Sequence, residues 1–173
     1  MKHLVLVGLP GAGKTTLGRA VAARAGVGFL DFDEEIQRRS GLSPSAFFKR
    51  YGEPAFRAQE LALSRDLVGR HTIVVAPGGG WIAQEAAREA LRPYAHLVYL
   101  RVSPAAAAQR LGVAAQDRPL LAGDPTARLQ HLLAVREQWY TLADTVVDTE
   151  HIGIEQLTND LLSLVQRLMT EAG

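Results

Sequence analysis

Cysteine does not occur in the 173 residues, and its absence excludes disulfides, thiolate-held zinc and a thiol nucleophile together. An excess of either charge is missing as well. Nineteen Lys and Arg face 18 Asp and Glu for a formal net charge of +1, without blocks of like charge, so neither nucleic acid nor a membrane surface is an expected partner. Long apolar runs are lacking too: MKHLVLVGLPGAGK reaches glycines after a handful of apolar residues, too few for a signal-peptide core, and no later run approaches membrane-spanning length. The expectation is a cytoplasmic protein, monomeric, with small-molecule partners. A 47% hydrophobic content suits one globular domain over residues 1–173.

Short apolar runs alternate with longer segments of helical period. HLVLV (3–7), FLDF (29–32), TIVVA (72–76), HLVYLRV (96–102) and TVVDT (145–149) read as strands. Helical segments lie between them, and the last carries Ile154, Leu157, Leu161, Leu164, Val165 and Leu168 on one stripe. Ser43, Glu53 and Ser103, each directly before a proline, mark helix starts. This alternation predicts an α/β fold, a parallel sheet with helices on both faces, whose ligands collect at the carboxyl ends of the strands. One segment fits no regular element: GVAAQDRPLLAGDP (112–125) reads as a mobile lid.

Residues 8–15, GLPGAGKT, match G-x-x-x-x-G-K-[ST] between an apolar strand and a helix. Gly11 and Gly13 let the backbone turn its N–H groups around phosphate oxygens, and the helix from Lys14 adds its positive end. Lys14 supplies charge to the β- and γ-phosphates, and Thr15 a hydroxyl ligand for Mg²⁺. A bound nucleoside triphosphate follows.

In LDFDEE (30–35), strand alternation would point Asp31 and Asp33 to one side, as metal-side carboxylate and hydroxyl-orienting base. The pair reads equally as N-cap carboxylates for a helix starting near Glu34. The third strand ends in VVAPGGGW (74–81) without an acid, which leaves Asp31 as the metal-side candidate. Arg57 and Arg136 lie on predicted helices, where each alone fits a solvated arginine; an acidic substrate would instead be gripped by two such guanidinium forks. Arg118 in the lid could close on the transferring phosphoryl group, and Arg110 could stack on a base. The glycine run reads as a floor of bare backbone for a polar ring, or as a tight strand-to-helix turn.

Together GLPGAGKTTLGR (8–19), LDFD (30–33), GEPAFRAQE (52–60), GGG (78–80), RPLL (118–121) and REQWY (136–140) resemble the shikimate kinase family. The resemblance implies a three-layer P-loop kinase fold with sheet order 2-3-1-4-5, ATP and Mg²⁺ as cofactors, and phosphoryl transfer to the 3-hydroxyl of shikimate. It assigns Gly11, Ala12, Gly13, Lys14, Thr15 and Thr16 to the ATP phosphates, with Thr15 and Asp31 at the metal. It gives Asp33, Arg57, Gly79, Gly80 and Arg136 to the acceptor, with Asp33 as candidate base, and closes Arg118 from the lid onto ATP. Lys14, Asp33 and Arg118 are the expected catalytic residues, and Arg110, from its place just before the lid, is an expected nucleotide contact. Trp81 stands where the family usually has a small residue, and is expected to alter the acceptor pocket.

Overall fold

The structure, a computed structural model, describes residues 1–112, 121 and 123–170. All five predicted strands form, each within one residue of its expected bounds: β1 His3–Val7, β2 Gly28–Asp31, β3 Ile73–Ala76, β4 Ala95–Arg101 and β5 Thr145–Asp148. Every pairing is parallel and the order is β2-β3-β1-β4-β5, as the resemblance implies. Unbroken apolar runs make this sheet because its central strands are covered on both faces. All five residues of β1 are buried, as are Leu97, Val98 and Leu100 of β4.

Eight helices surround the sheet among the described residues: α1 Lys14–Ala25, α2 Phe32–Ser40, α3 Pro44–Tyr51, α4 Glu53–Asp66, α5 Glu85–Leu91, α6 Pro104–Leu111, α7 Pro125–Tyr140 and α8 Ile154–Thr170. Helices α1 and α8 pack side by side and against the sheet, whereas α4 packs on α3 and α5, and α6 on α7. The predicted stripe of α8 faces inward, with Leu157, Leu161, Leu164, Val165 and Leu168 buried, although Ile154 at its start is exposed. Among the described residues no helix is long and apolar enough to cross a membrane.

Helix starts follow local chemistry. The Ser43 and Ser103 hydroxyls accept the N–H groups of Ala46 and Ala106 at 3.2 Å each, satisfying donors that a first helical turn leaves open. Helix α4 starts at Glu53, as expected, with Pro54 in its first turn and Gly52 as its cap. Two expectations need correction. Helix α2 begins at Phe32, directly after β2, so the alternation of an extended strand does not govern Asp33. The predicted lid ends earlier than expected, because Asp124 accepts the Ala127 N–H at 3.2 Å and starts α7 at Pro125. Leu121 is buried; residues 113–120, with Arg118, and residue 122 lie outside the described residues.

Candidate active site

The two loops that matter leave adjacent strands, since β1 and β3 pair in the centre of the sheet. After β1, Gly11 and Gly13 take φ of 84° and 90°, left-handed values that a side chain would strain. A Cβ on Gly11 would also stand 2.6 Å from the Ala107 carbonyl oxygen. Lys14 Nζ donates to the carbonyls of Gly8 and Leu9, both at 2.9 Å, so its ammonium lies back over the loop. Beside this loop is a cavity of about 480 Å³ lined by Gly11, Gly13, Thr16, Arg110, Ile152 and Leu157 among others. Arg110 is held at its edge, donating to the Thr149 hydroxyl at 3.1 Å and to the Thr149 carbonyl.

The Asp31 carboxylate caps α2 with one oxygen and meets Thr15 with the other. Its Oδ1 caps α2, accepting the N–H groups of Asp33 at 3.0 Å and Glu34 at 3.3 Å. Its Oδ2 accepts the Thr15 hydroxyl at 2.6 Å. Thr15 and Asp31, named together from the sequence, are thus brought into contact, one from α1 and one from the end of β2.

The run Gly78–Gly80 explains itself through its neighbours. None of the three has positive φ, so the demand for glycine is one of space. A Cβ on Gly78 would stand 2.5 Å from Glu60 Oε1 and 2.9 Å from Asp33 Oδ1. One on Gly79 would approach Arg136 Nη1 to 3.2 Å, and one on Gly80 would fall 2.5 Å from Arg57 Cζ. Three helices therefore lay Asp33, Arg57 and Arg136 over three consecutive bare positions. The run is also a turn, in which the Trp81 N–H donates to the Gly78 carbonyl at 2.9 Å.

Neither arginine is a solvated surface group. The Arg57 side chain is 19% exposed and Arg136 is 7% exposed, with Nη1 buried and unpartnered among the described residues. Arg57 Nη1 donates to Glu60 Oε2 at 2.7 Å, while Nε and Nη2 donate to Glu53 at 3.2 and 2.9 Å. Burial lowers the guanidinium pKa, but the Glu60 and Glu53 carboxylates outweigh it and leave it raised.

Glu60 was not singled out from the sequence. It is fully buried and its Oε2 also accepts from Gln84 Nε2, whereas Oε1 has no hydrogen-bond partner among the described residues. Burial pushes its pKa up to about 7; Arg57 opposes this, Asp33 adds to it and the Gln84 bond opposes it. A signal did exist: Glu60 shares the inward stripe of α4 with Phe56 and Leu63, and an acid on such a face is buried only when paired.

Trp81 corrects another expectation. It does not enter the acceptor pocket but points into the core, 1% exposed, and its Nε1 donates to Ser64 Oγ at 2.9 Å.

The shikimate kinase family profile matches residues 10–166. A shikimate kinase from Thermobifida fusca is 44% identical over 170 residues, covering 98% of this chain and 95% of that protein. A solved shikimate kinase from Acinetobacter baumannii, in complex with shikimate, superposes with a TM-score of 0.87 at 35% identity, over 96% of this chain and 94% of that one. A gluconokinase from Sinorhizobium meliloti, at 22% identity and a TM-score of 0.61 over 99% and 95% of the two chains, shares the fold alone. With residues 10–15 of the phosphate loop, the carboxylate beside it and the glycine run inside the matched span, the chain belongs to the shikimate kinase family.

Proposed function

We propose that this chain transfers the γ-phosphoryl group of ATP to the 3-hydroxyl of shikimate, giving shikimate 3-phosphate and ADP, as one monomeric domain in the cytoplasm. The observation that carries this reading is the convergence of Arg57, Arg136 and Asp33 over Gly78–Gly80, one strand away from the phosphate loop. Two guanidinium groups can take the acceptor carboxylate between them, fixing its plane as well as its charge. Asp33 then faces the ring hydroxyls, orients the 3-hydroxyl and accepts its proton as the oxygen attacks phosphorus.

On the nucleotide side, residues 11–16 would hold the phosphates by backbone N–H groups and the α1 terminus. Lys14 would exchange its two loop carbonyls for phosphate oxygens. Arg110 would border the base in the cavity it edges, and Arg118, outside the described residues, would close from the lid. Among the described residues no cluster of three metal-binding side chains exists, but the Thr15 hydroxyl and Asp31 carboxylate are hard oxygen donors that fit Mg²⁺. This ion keeps waters and takes only one or two protein ligands beside phosphates. Thr15 and Asp31 would hold the ion, whose charge would offset the negative charge that develops on the phosphates.

A coupled assay of ADP release with Mg²⁺ and ATP, over a panel of shikimate, quinate and gluconate, tests the proposal. Turnover with shikimate at a kcat/KM far above the other two is expected. Absence of shikimate turnover, in protein shown to bind ATP, would refute it.

A further inference from the structure

The Trp81 indole is the largest side chain buried in this protein, and it lies directly behind the acceptor floor. Its backbone N–H closes the turn onto the Gly78 carbonyl. Its indole N–H crosses to Ser64 Oγ at 2.9 Å, and that hydroxyl donates at 2.8 Å to the carbonyl of Glu60. Glu60 in turn holds Arg57 at 2.7 Å, and the Arg57 guanidinium lies over Gly80, next to Trp81 itself. The circuit starts and ends at the glycine run: floor, indole, α4, arginine, floor.

A hydrocarbon ring of similar size would fill the same volume but could not make the crossing bond. The bond is buried at both ends, where a polar hydrogen bond fixes relative position and an unpaired donor is costly. The turn of α4 that carries Arg57 and Glu60 is therefore tied to the floor at a set distance. We infer that Trp81, through Ser64, is a positioning residue for the acceptor-carboxylate clamp, holding Arg57 in register with Gly80. This rests on the reading of the acceptor as a carboxylate-bearing shikimate.

The test compares wild type with Trp81→Phe, Ser64→Ala and the double variant. Trp81→Phe keeps an aromatic ring and so spares the fold that Trp81→Ala could collapse. Trp81→Phe is expected to raise the shikimate KM about 3- to 10-fold, the scale of one net hydrogen bond, with kcat and the ATP dissociation constant within about twofold of wild type. Ser64→Ala should act in the same direction, and the double variant should be no worse than the poorer single one, since the two residues serve one bond. Hydrogen exchange supplies a readout that needs no turnover: amides of residues 53–66 and 77–84 should exchange faster in Trp81→Phe, with α8 unchanged. Unaltered KM and unaltered exchange, with only a lower Tm, would overturn the inference and leave Trp81 as core packing. Wild-type protein that fails to turn over shikimate would refute the acceptor reading, and exchange alone would then decide the brace.

Discussion

A single missing methyl group governs the acceptor side at residue scale. Arg57 is pinned by two glutamates and cannot step aside freely, so Gly80→Ala should displace its guanidinium and behave kinetically like Arg57→Ala. Both are expected to raise the shikimate KM by about 10²-fold, the scale of unpairing a buried charge from its partner, with ATP binding nearly intact. Steady-state kinetics beside ATP titration checks this; a Gly80→Ala enzyme of normal KM would show that the position tolerates a side chain. Much of this was readable from residue types, because two arginines and a glycine run have few common uses. What was not readable was who occupies the space above each glycine. The sequence suggests substrate resting on bare backbone, whereas the guanidinium groups take that room first. Glu60 stayed unread for the same reason, since its burial depends on α4 facing the floor.

At the scale of elements, the junction of β2 and α2 shows how one side chain serves two purposes. Asp31 caps the helix with one oxygen and meets Thr15 with the other, and asparagine caps helices about as well as aspartate. Asp31→Asn should therefore leave Tm within a few degrees of wild type while raising the Mg²⁺ concentration needed for half-maximal rate. Asp31→Ala should lose both, the cap alone being worth about 1 kcal/mol. If Asp31→Asn shows an unchanged Mg²⁺ requirement, the carboxylate is structural. Strands were legible to within a residue because unbroken apolar runs leave a parallel strand few alternatives. The start of α2 was less so: LDFD alternates as a strand should, and only the cap geometry at Asp31 starts the helix at Phe32, two residues before Glu34. In α7, Asp124 before Pro125 was a helix-start signal of the same kind as Ser43 and Ser103, hidden inside a stretch read as lid.

For the whole molecule, two buried titratable groups give stability opposite slopes with pH. His3 joins three elements: Nδ1 accepts the Ile73 N–H at 3.3 Å, which leaves the proton on Nε2 to donate to the Leu67 carbonyl at 2.9 Å. Burial lowers its pKa below the usual 6.5, although the Leu67 bond opposes this. On acidification through 6.5 the unfolded chain takes a proton that the native state refuses, so stability falls. Glu60 works in reverse. Its native pKa of about 7 lies above the ordinary 4.5, so stability is present below that window and is lost as pH rises through it. Between about 4.5 and 6.5 the two trends offset each other. Urea unfolding at pH 5 and pH 7 should show His3→Gln gaining stability on acidification relative to wild type and Glu60→Gln losing it. Identical slopes in all three proteins would place the linkage elsewhere.

The glycine run also bears on how this site can change over time. A side chain at position 78 would meet Glu60 and Asp33, one at 80 would meet Arg57, and one at 79 would press on Arg136, so a drifting sequence cannot resculpt the floor without also moving a group of the clamp. An inhibitor that rests its weight there would face a surface with few viable escape substitutions. Resistance would have to arise at the rim, where helices can retreat without losing the clamp.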